Sequence, residues 1–432
     1  MMNKFVRTTL GPLALILCCT PFVILMWYTN TTLEGSFYRL GELFITNGFF
    51  TTIYKIWQPI FWGSKTAWGI IFSFLVFELL LIILLPGKLF YGPATPKNNI
   101  PIYKANGILA FLITMGVFCC GSFYLHLFSA SQIFDNFGDI LGALNILSLI
   151  LCVFLYLKGR YLPSSSDSGT TGNIIFDYYW GTELYPKIGT INLKMFINCR
   201  LGMMSWGLIL LSYAAKQHEL YGLSNSMMVA IALQLIYITK FFIWETGYLA
   251  SLDIMHDRAG YYICWGCMVW VPCIYTSPTM YLVNHPNHLN TWLAVVIFSC
   301  GTLCILINYF ADRQRQLVRR SEGDCKIWGK KPQLTVASYK TESGAIKQNL
   351  LLSSGWWGIT RHFHYLPEIA GAFFWSVPAL FTNFSPYFYV CFLTILLLDR
   401  ASRDDLRCAQ KYGEYWQTYC NKVPYKIIPF VF

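Results

Sequence analysis

Continuous apolar runs of close to 20 residues recur along the chain, near 10–29, 66–86, 105–128, 139–157, 200–215, 226–249, 261–282 and 291–310. A helix needs about 20 apolar residues to cross a bilayer core. Within lipid only helices and closed barrels satisfy every backbone amide. These runs are unbroken and lack the short alternating segments of a barrel strand, so they predict helical spans. Two shorter runs follow at 368–382 and 385–398, broken at Pro378 and Pro386. They are too short for straight independent spans, and a packed hairpin or tilted, partly embedded helices suits them. The pattern predicts an all-α polytopic membrane protein of about ten transmembrane helices, the last two short. No internal repeat or coiled coil is visible, and the Ser/Gly/Thr-rich stretch 164–172 reads as a flexible linker.

Composition agrees. Of 432 residues 55% are hydrophobic and only 12% charged, about half the share of a soluble domain. The formal net charge of +11 could suggest nucleic acid. The Lys and Arg lie in loops between spans, however, which is the signature of membrane topology. Basic residues mark the N-terminus (Lys4, Arg7), the loop 87–104, the loop 158–199 (Lys158, Arg160, Lys187, Lys194), the segment 313–331 and the tail after Arg400. Loops 129–138 and 283–290 contain neither Lys nor Arg. This alternation places both termini and the long 311–367 loop on the cytosolic side. The 30–65 loop, with Arg39, Lys55 and Lys65, is the exception. The first run lacks a small-x-small cleavage site, so it reads as a retained span and not a signal peptide. The 15 cysteines are scattered, and the single CxxC (Cys264, Cys267) sits in an apolar segment where packing is the better reading.

Polar chemistry concentrates in four places. Arg315 and Arg319, four apart, share a face if the last long span continues as a helix. They suit phosphate capture or, equally, anionic lipid. Next, Trp356 and Trp357 between Gly355 and Gly358 form an interfacial anchor or a flat wall for a ring cofactor, followed by Arg361, His362, His364 and Tyr365. In the tail, Asp404, Cys408 and Tyr412 stack on one helical face, and Tyr419 rejoins it if Gly413 does not break the helix. Such a stripe could hold ribose, phosphate and adenine, or lie on the membrane as an amphipathic helix. In the middle, Glu245, Asp253 and His256 gather at a span end, where ionisable groups are either functional or helix-end hydrogen-bonding partners. His285 and His288 read as surface, since a metal site needs more ligands. No GxGxxG or GxxxxGK[ST] occurs, so any nucleotide must be held by side-chain cations.

Three segments together, LLSSGWWGITRHFHYLPEI, RDDLRCAQKYGEYWQTYC and the closing VPYKIIPFVF, resemble the sterol reductase family. That family includes 7-dehydrocholesterol and sterol carbon-14 reductases. Upstream, GNIIFDYYWGTELYPKIG and WETGYLASLDIMHDRAGYYICWGCMVWVPCIYT are similar to family blocks, so the resemblance runs from about residue 170 onward. HYLPEIAGAFFWSVPALF and KIWGKKP are most similar to the branch acting on 7-dehydrocholesterol. The resemblance implies NADPH-dependent reduction of the carbon 7–8 double bond of a sterol 5,7-diene such as 7-dehydrocholesterol. It implies NADPH contacts at Arg315, Arg319, Leu352, Trp357, His364, Tyr365, Asp404, Cys408, Ala409, Gln410, Lys411, Tyr412 and Tyr419. Many relatives carry Asn where this chain has His364. Residues 1–200 are then N-terminal transmembrane helices, and 201–432 a reductase core ending in a cytosolic-side cofactor lobe.

A diene has no carbonyl to polarise, so its reduction calls for a proton as well as a hydride, and the chain must place an acid within hydrogen-bond reach. The candidates are Tyr248, Glu245, Asp253 and His256. The partners expected are a sterol substrate and membrane lipid, with no metal and no nucleic acid. Association with other sterol-pathway enzymes is left open. In a eukaryotic cell the endoplasmic reticulum is the expected membrane, in a bacterium the inner membrane. Within the family, carbon-14 reduction is the alternative. Outside it, the Arg-His…Tyr…Glu run also resembles membrane methyltransferases that use S-adenosylmethionine, although paired arginines suit NADPH better. A non-catalytic sterol-binding scaffold is the third reading.

Overall fold

A computed structural model describes residues 4–95, 97–249, 251–340, 344 and 346–431. The apolar runs become helices. Seven are long and apolar enough to cross a membrane among the described residues: Val6–Thr31, Lys65–Leu84, Gly107–Tyr124, Phe137–Tyr161, Leu193–Tyr221, Asn225–Ile243 and Thr291–Arg320. The chain is a multi-pass membrane protein. Ser64 and Ser224 start two of these helices, each accepting a backbone N–H three residues on, at 3.2 Å; such caps satisfy donors that the first turn leaves open. Gly222, at φ +79°, ends Leu193–Tyr221 in a conformation other residues rarely adopt.

The 261–282 run departs from a single straight span. It is built from three consecutive segments, Tyr261–Trp265, the wide-turned Gly266–Tyr275 and Ser277–Asn284. Pro272 removes one backbone donor within it, and Thr276 Oγ1 donates to the Pro272 carbonyl at 2.6 Å. The two short runs near the C-terminus give Tyr365–Ser376 and Phe388–Tyr412, the second carrying on well past its apolar part into the charged tail.

The chain divides into two compact units, Met1–Leu289 with Ala379–Pro386, and Asn290–Pro378 with Tyr387–Phe432. In the first, Leu193–Tyr221 is the central helix: 83% of its most apolar stretch is buried, against 22% for Lys65–Leu84. Lys194, counted above among topology-setting loop charges, is fully buried at the start of that helix. Its Nζ donates to the carbonyls of Asp253, Ile254 and Asp257 at 3.2, 2.8 and 2.7 Å, so it caps a turn and carries no topological information. The 164–172 stretch is likewise no loose linker. The Ser164 N–H donates to Glu183 at 2.6 Å, Glu183 pairs with Lys158 at 3.0 Å, and Thr171 donates to Asp177.

In the second unit, Thr291–Arg320 runs unbroken through Arg315 and Arg319. Beyond it lies an antiparallel hairpin that the apolar pattern did not announce, Leu334–Lys340 paired with Ile346–Leu352. Gly413, at φ +52°, ends Phe388–Tyr412 and starts a separate helix, Glu414–Lys422. The single continuous tail helix is therefore broken.

Candidate functional site

Every residue expected to contact the cofactor lies in the second unit. Arg315 and Arg319 project from the end of Thr291–Arg320. Arg315 is engaged loosely by Asp312, at 3.5 Å, and its guanidinium sits 4.2 Å from the centroid of the Trp357 ring. Arg319 is exposed and has no ion-pair partner among the described residues. It lies within electrostatic reach of Arg315, Asp404, Cys408 and Tyr412. The two faces that helical spacing identified separately are thus adjacent in space.

Trp357, for which an interfacial anchor and a flat aromatic wall were both open readings, does not stand free in the structure. Its side chain is 4% exposed, and its Nε1 donates to the Ala311 carbonyl at 2.8 Å. With Val318, Ile327 and Leu352 it forms a small core, capped by Arg315 on one ring face. Trp357 therefore holds Arg315 by a cation–π contact. The neighbouring Trp356 stacks on Phe363 at 4.8 Å. His364 packs 5.0 Å from Trp357 and 4.2 Å from Tyr365, while its carbonyl accepts from Asn308 at 2.9 Å.

On the tail helix, Asp404 pairs with Arg407. Ala409, Gln410 and Lys411 are exposed, and Tyr412 is buried, accepting from Asn349 Nδ2 at 2.8 Å. Tyr419 does rejoin Tyr412, but through tertiary packing: both pack with Ala337, Trp416 and Val423 against the hairpin. Burial pushes the Cys408 thiol up to about 12 and raises the Tyr419 phenol above its ordinary value. Neither adds negative charge beside Arg315 and Arg319. A pair of guanidiniums with one weak partner and one vacant fork, beside Lys411, has the donor set for a phosphate.

Arg361 and His362 serve structure. Arg361 Nη1 donates to the carbonyls of Val423 and Pro424, both at 2.8 Å, and Nε lies 3.3 Å from Asp405. The backbone N–H groups of Arg361 and His362 donate to Tyr425 and Lys426, pinning the C-terminal segment. His362 is buried, with Nε2 4.0 Å from Asp404. Burial lowers its pKa from 6.5 to about 4, with Asp404 partly opposing the shift. Between those values the unfolded chain takes up a proton that the folded one refuses, so stability falls as pH drops from 6.5 towards 4. We expect up to ~3 kcal/mol of acid sensitivity from this residue. Comparing unfolding at pH 7 and 4.5 should show it in the native chain and a reduced pH dependence in His362→Gln. Equal pH dependence in both would rule His362 out.

The four candidate acids belong to the first unit. Glu245 is 3% exposed, and its carboxylate accepts from Arg200 Nη1 at 2.5 Å, from the Gly107 N–H at 2.8 Å and from the Tyr103 hydroxyl. Gly107 leaves no room for a Cβ beside it. Glu245, one of the four candidate donors, is thus ion-paired with Arg200 and accepts from three donors in all. Tyr248 is half-buried on the cluster that includes Tyr103, Met195 and Ile254. Its hydroxyl accepts from Asn198 Nδ2 at 3.4 Å, and Asn198 Oδ1 accepts from Cys267 at 2.6 Å. Asp253 lies on the short Leu252–Met255 turn, and exposed His256 follows it.

A family model for the ergosterol biosynthesis ERG4/ERG24 family matches residues 5–432. The chain belongs to this family. It is 54% identical over 422 residues to a 7-dehydrocholesterol reductase of Arabidopsis thaliana, covering 97% of this chain and 96% of that one. It is 37% identical over 391 residues to a 7-dehydrocholesterol reductase of Xenopus laevis, covering 87% and 83%. A Delta(14)-sterol reductase of Methylotuvimicrobium alcaliphilum is 35% identical over 422 residues, covering 97% and 94%. Membership makes the chain an oxidoreductase of the sterol reductase type, working in a lipid environment on a sterol. The methyltransferase reading falls away.

Sequence reading missed Arg200, Lys194, Asn198 and Glu78 in this sterol reductase. Glu78 is fully buried within Lys65–Leu84, where Oε1 accepts from Thr114 at 2.5 Å. Its signal was present: a carboxylate in the middle of an apolar span is costly and calls for a partner.

Proposed function

We propose that this chain reduces the carbon 7–8 double bond of a sterol 5,7-diene, with NADPH as the reductant. The observation that carries the bond position is the 54% identity to a relative named for 7-dehydrocholesterol, against 35% to one named for carbon 14. The paired guanidiniums of Arg315 and Arg319 support a phosphate-bearing cofactor. Around them, Leu352, Trp357, His364, Tyr365, Asp404, the run Cys408 to Tyr412, and Tyr419 complete the proposed cofactor set. NADPH, when bound, supplies a hydride. The chain supplies the balancing proton, and Tyr248 is the favoured donor. Asn198 donates towards the phenol oxygen, and so would stabilise the phenolate left behind. The Lys/Arg bias of the loops supports a cytosol-facing cofactor lobe, in the endoplasmic reticulum membrane of a eukaryote.

Expression in a host that accumulates 5,7-dienes tests the reading, with sterols profiled by gas chromatography. The 5-ene should appear and an 8,14-diene supplied in parallel should persist. Unconverted 5,7-diene would sink the proposal, and a consumed 8,14-diene would move it to carbon 14. For the cofactor, Arg319→Ala should raise the NADPH concentration at half-maximal rate about 10- to 100-fold, the worth of a charge-assisted phosphate contact. Unchanged kinetics would remove Arg319 from the set.

A further inference from the structure

Between the last long span and the Leu334–Lys340 strand, the segment 325–333 carries Lys326, Lys330 and Lys331 and no acid, while Glu322 and Asp324 precede it. The Ile327 N–H donates to the Lys330 carbonyl at 2.8 Å, and the Lys330 N–H returns to the Ile327 carbonyl at 3.1 Å. These bonds close a tight turn over Trp328 and Gly329, with φ +49° and +79°. Positive φ at both central residues is the demand of a type I′ turn, whose first position normally falls to Asn, Asp or Gly. A Trp there is held against the preference of its backbone, and such an outlier points to use. What the conformation achieves is placement. The indole stands at the apex, 61% exposed, with exposed Lys326 and Lys330 on either side. None of the three lysines has an ion-pair partner among the described residues.

The turn also folds back towards the bilayer. Along Thr291–Arg320, Leu303, Leu306 and Phe310 form an exposed apolar stripe, the lipid-facing side of that span. Gln314 lies four residues past Phe310 and continues the same face. Arg320 is about 15 Å beyond Phe310 along the helix axis, but Gln314 is only about 6 Å beyond it. The chain comes back to Gln314. Its Oε1 accepts from the Trp356 N–H at 2.9 Å, and Gly355 leaves no room for a Cβ between Gln314 and Ile327. The Trp328 ring then meets Trp356 edge-on at 5.1 Å. The apex is therefore set just outside the hydrocarbon boundary, above a lipid-facing stripe. Indole rings favour that depth, and lysines beside them reach headgroup phosphates. An acidic protein would match the charge, but a ring held at the boundary favours lipid.

We propose that the Trp328 turn is a membrane-surface contact that recognises anionic phospholipid. The indole lies at headgroup level, and Lys326, Lys330 and Lys331 engage the headgroup anions. The turn shares no residue with the proposed cofactor set and stands whether or not the chain reduces a 5,7-diene.

The test uses the full chain in nanodiscs of phosphatidylcholine alone and of phosphatidylcholine mixed with phosphatidylserine, with amide hydrogen exchange followed by mass spectrometry. A lysine near an anionic surface is worth about fivefold in affinity, so exchange in the 325–333 peptide should slow at least about tenfold with phosphatidylserine. Salt at about 1 M should abolish the difference. Replacing Lys326, Lys330 and Lys331 together by Gln should abolish it as well. Trp328→Asn creates Asn-Gly, the favoured type I′ pair, so the turn stays folded and only the indole is lost. That variant should exchange faster than the native chain in both lipid mixtures. Equal exchange of the native chain in the two mixtures would overturn the contact, as would a difference that survives in the triple variant. Exchange unchanged by Trp328→Asn would remove the indole from the interface and the proposal with it. Soluble glycerophosphoserine should not reproduce the slowing; if it does, the lysines bind free anions and not a membrane. Slowing that disappears on adding NADPH would assign the lysines to the cofactor and equally sink the proposal.

Discussion

Arg200→Met is expected to destabilise the first unit by about 3–5 kcal/mol, enough to remove most folded protein from a detergent extract. Arg200 is wholly buried, and its guanidinium binds Glu245 at 2.5 Å, Asn106 at 2.8 Å and Tyr103 at 2.9 Å. Removing it leaves a buried carboxylate with only a phenol and one amide as donors. A second carboxylate, Glu78, is close enough to feel the same cation, and its Oε2 has no hydrogen-bond partner among the described residues. Truncating one member of a buried pair is costly mainly through the charge it strands, so the companion variant decides the interpretation. Arg200→Met with Glu245→Gln should be more stable than Arg200→Met alone, read as thermal midpoint by size-exclusion chromatography. If the single variant melts within a few degrees of the native chain, the pair contributes nothing to the fold. If the double variant melts lower still, stranded charge is not the cause.

The spans were legible because a bilayer demands long uninterrupted apolar runs, and those survive in the sequence whatever packs against them. Partnered charges were not legible in the same way. Lys194 was counted as a loop residue and Arg200, the first residue of an apolar run, drew no reading, because a sequence carries no sign of the carbonyls or carboxylate that make their burial tolerable. The hairpin was hidden by its own pattern: Thr335 and Ala337 face inward, while Val336 is 46% exposed. Alternation read for hydrophobicity therefore points the wrong way there. Helical spacing put Arg315 and Arg319 on one face and Asp404 and Cys408 on another, while the nearness of the second face to Arg319 is a tertiary feature that spacing does not carry. It left open whether Gly413 ends the helix, which its positive φ does, and it said nothing of Trp357, whose ring is covered by Arg315. The first is set by the backbone of one glycine and the second by what a side chain meets from another element, and periodicity within one helix encodes neither.

Tyr248→Phe is expected to lower the turnover number about 10²- to 10⁴-fold, the usual contribution of a positioned general acid. The half-saturating NADPH concentration should be unchanged, because the variant deletes one oxygen in the unit that carries none of the proposed cofactor residues. Packing should also survive, since the ring keeps its edge-on contact with Phe241 at 5.1 Å. Asn198→Leu then acts as the control for mechanism. It takes away the N–H that points at the phenol oxygen, so it should slow turnover less than Tyr248→Phe, and in the double variant the two losses should not add. Replacing the remaining candidates one at a time discriminates among them. Full turnover in Tyr248→Phe with turnover lost in His256→Gln would transfer the role to His256, and turnover lost in Asp253→Asn would transfer it to Asp253. Full turnover in all three variants would put the proton source on another group or on bound water.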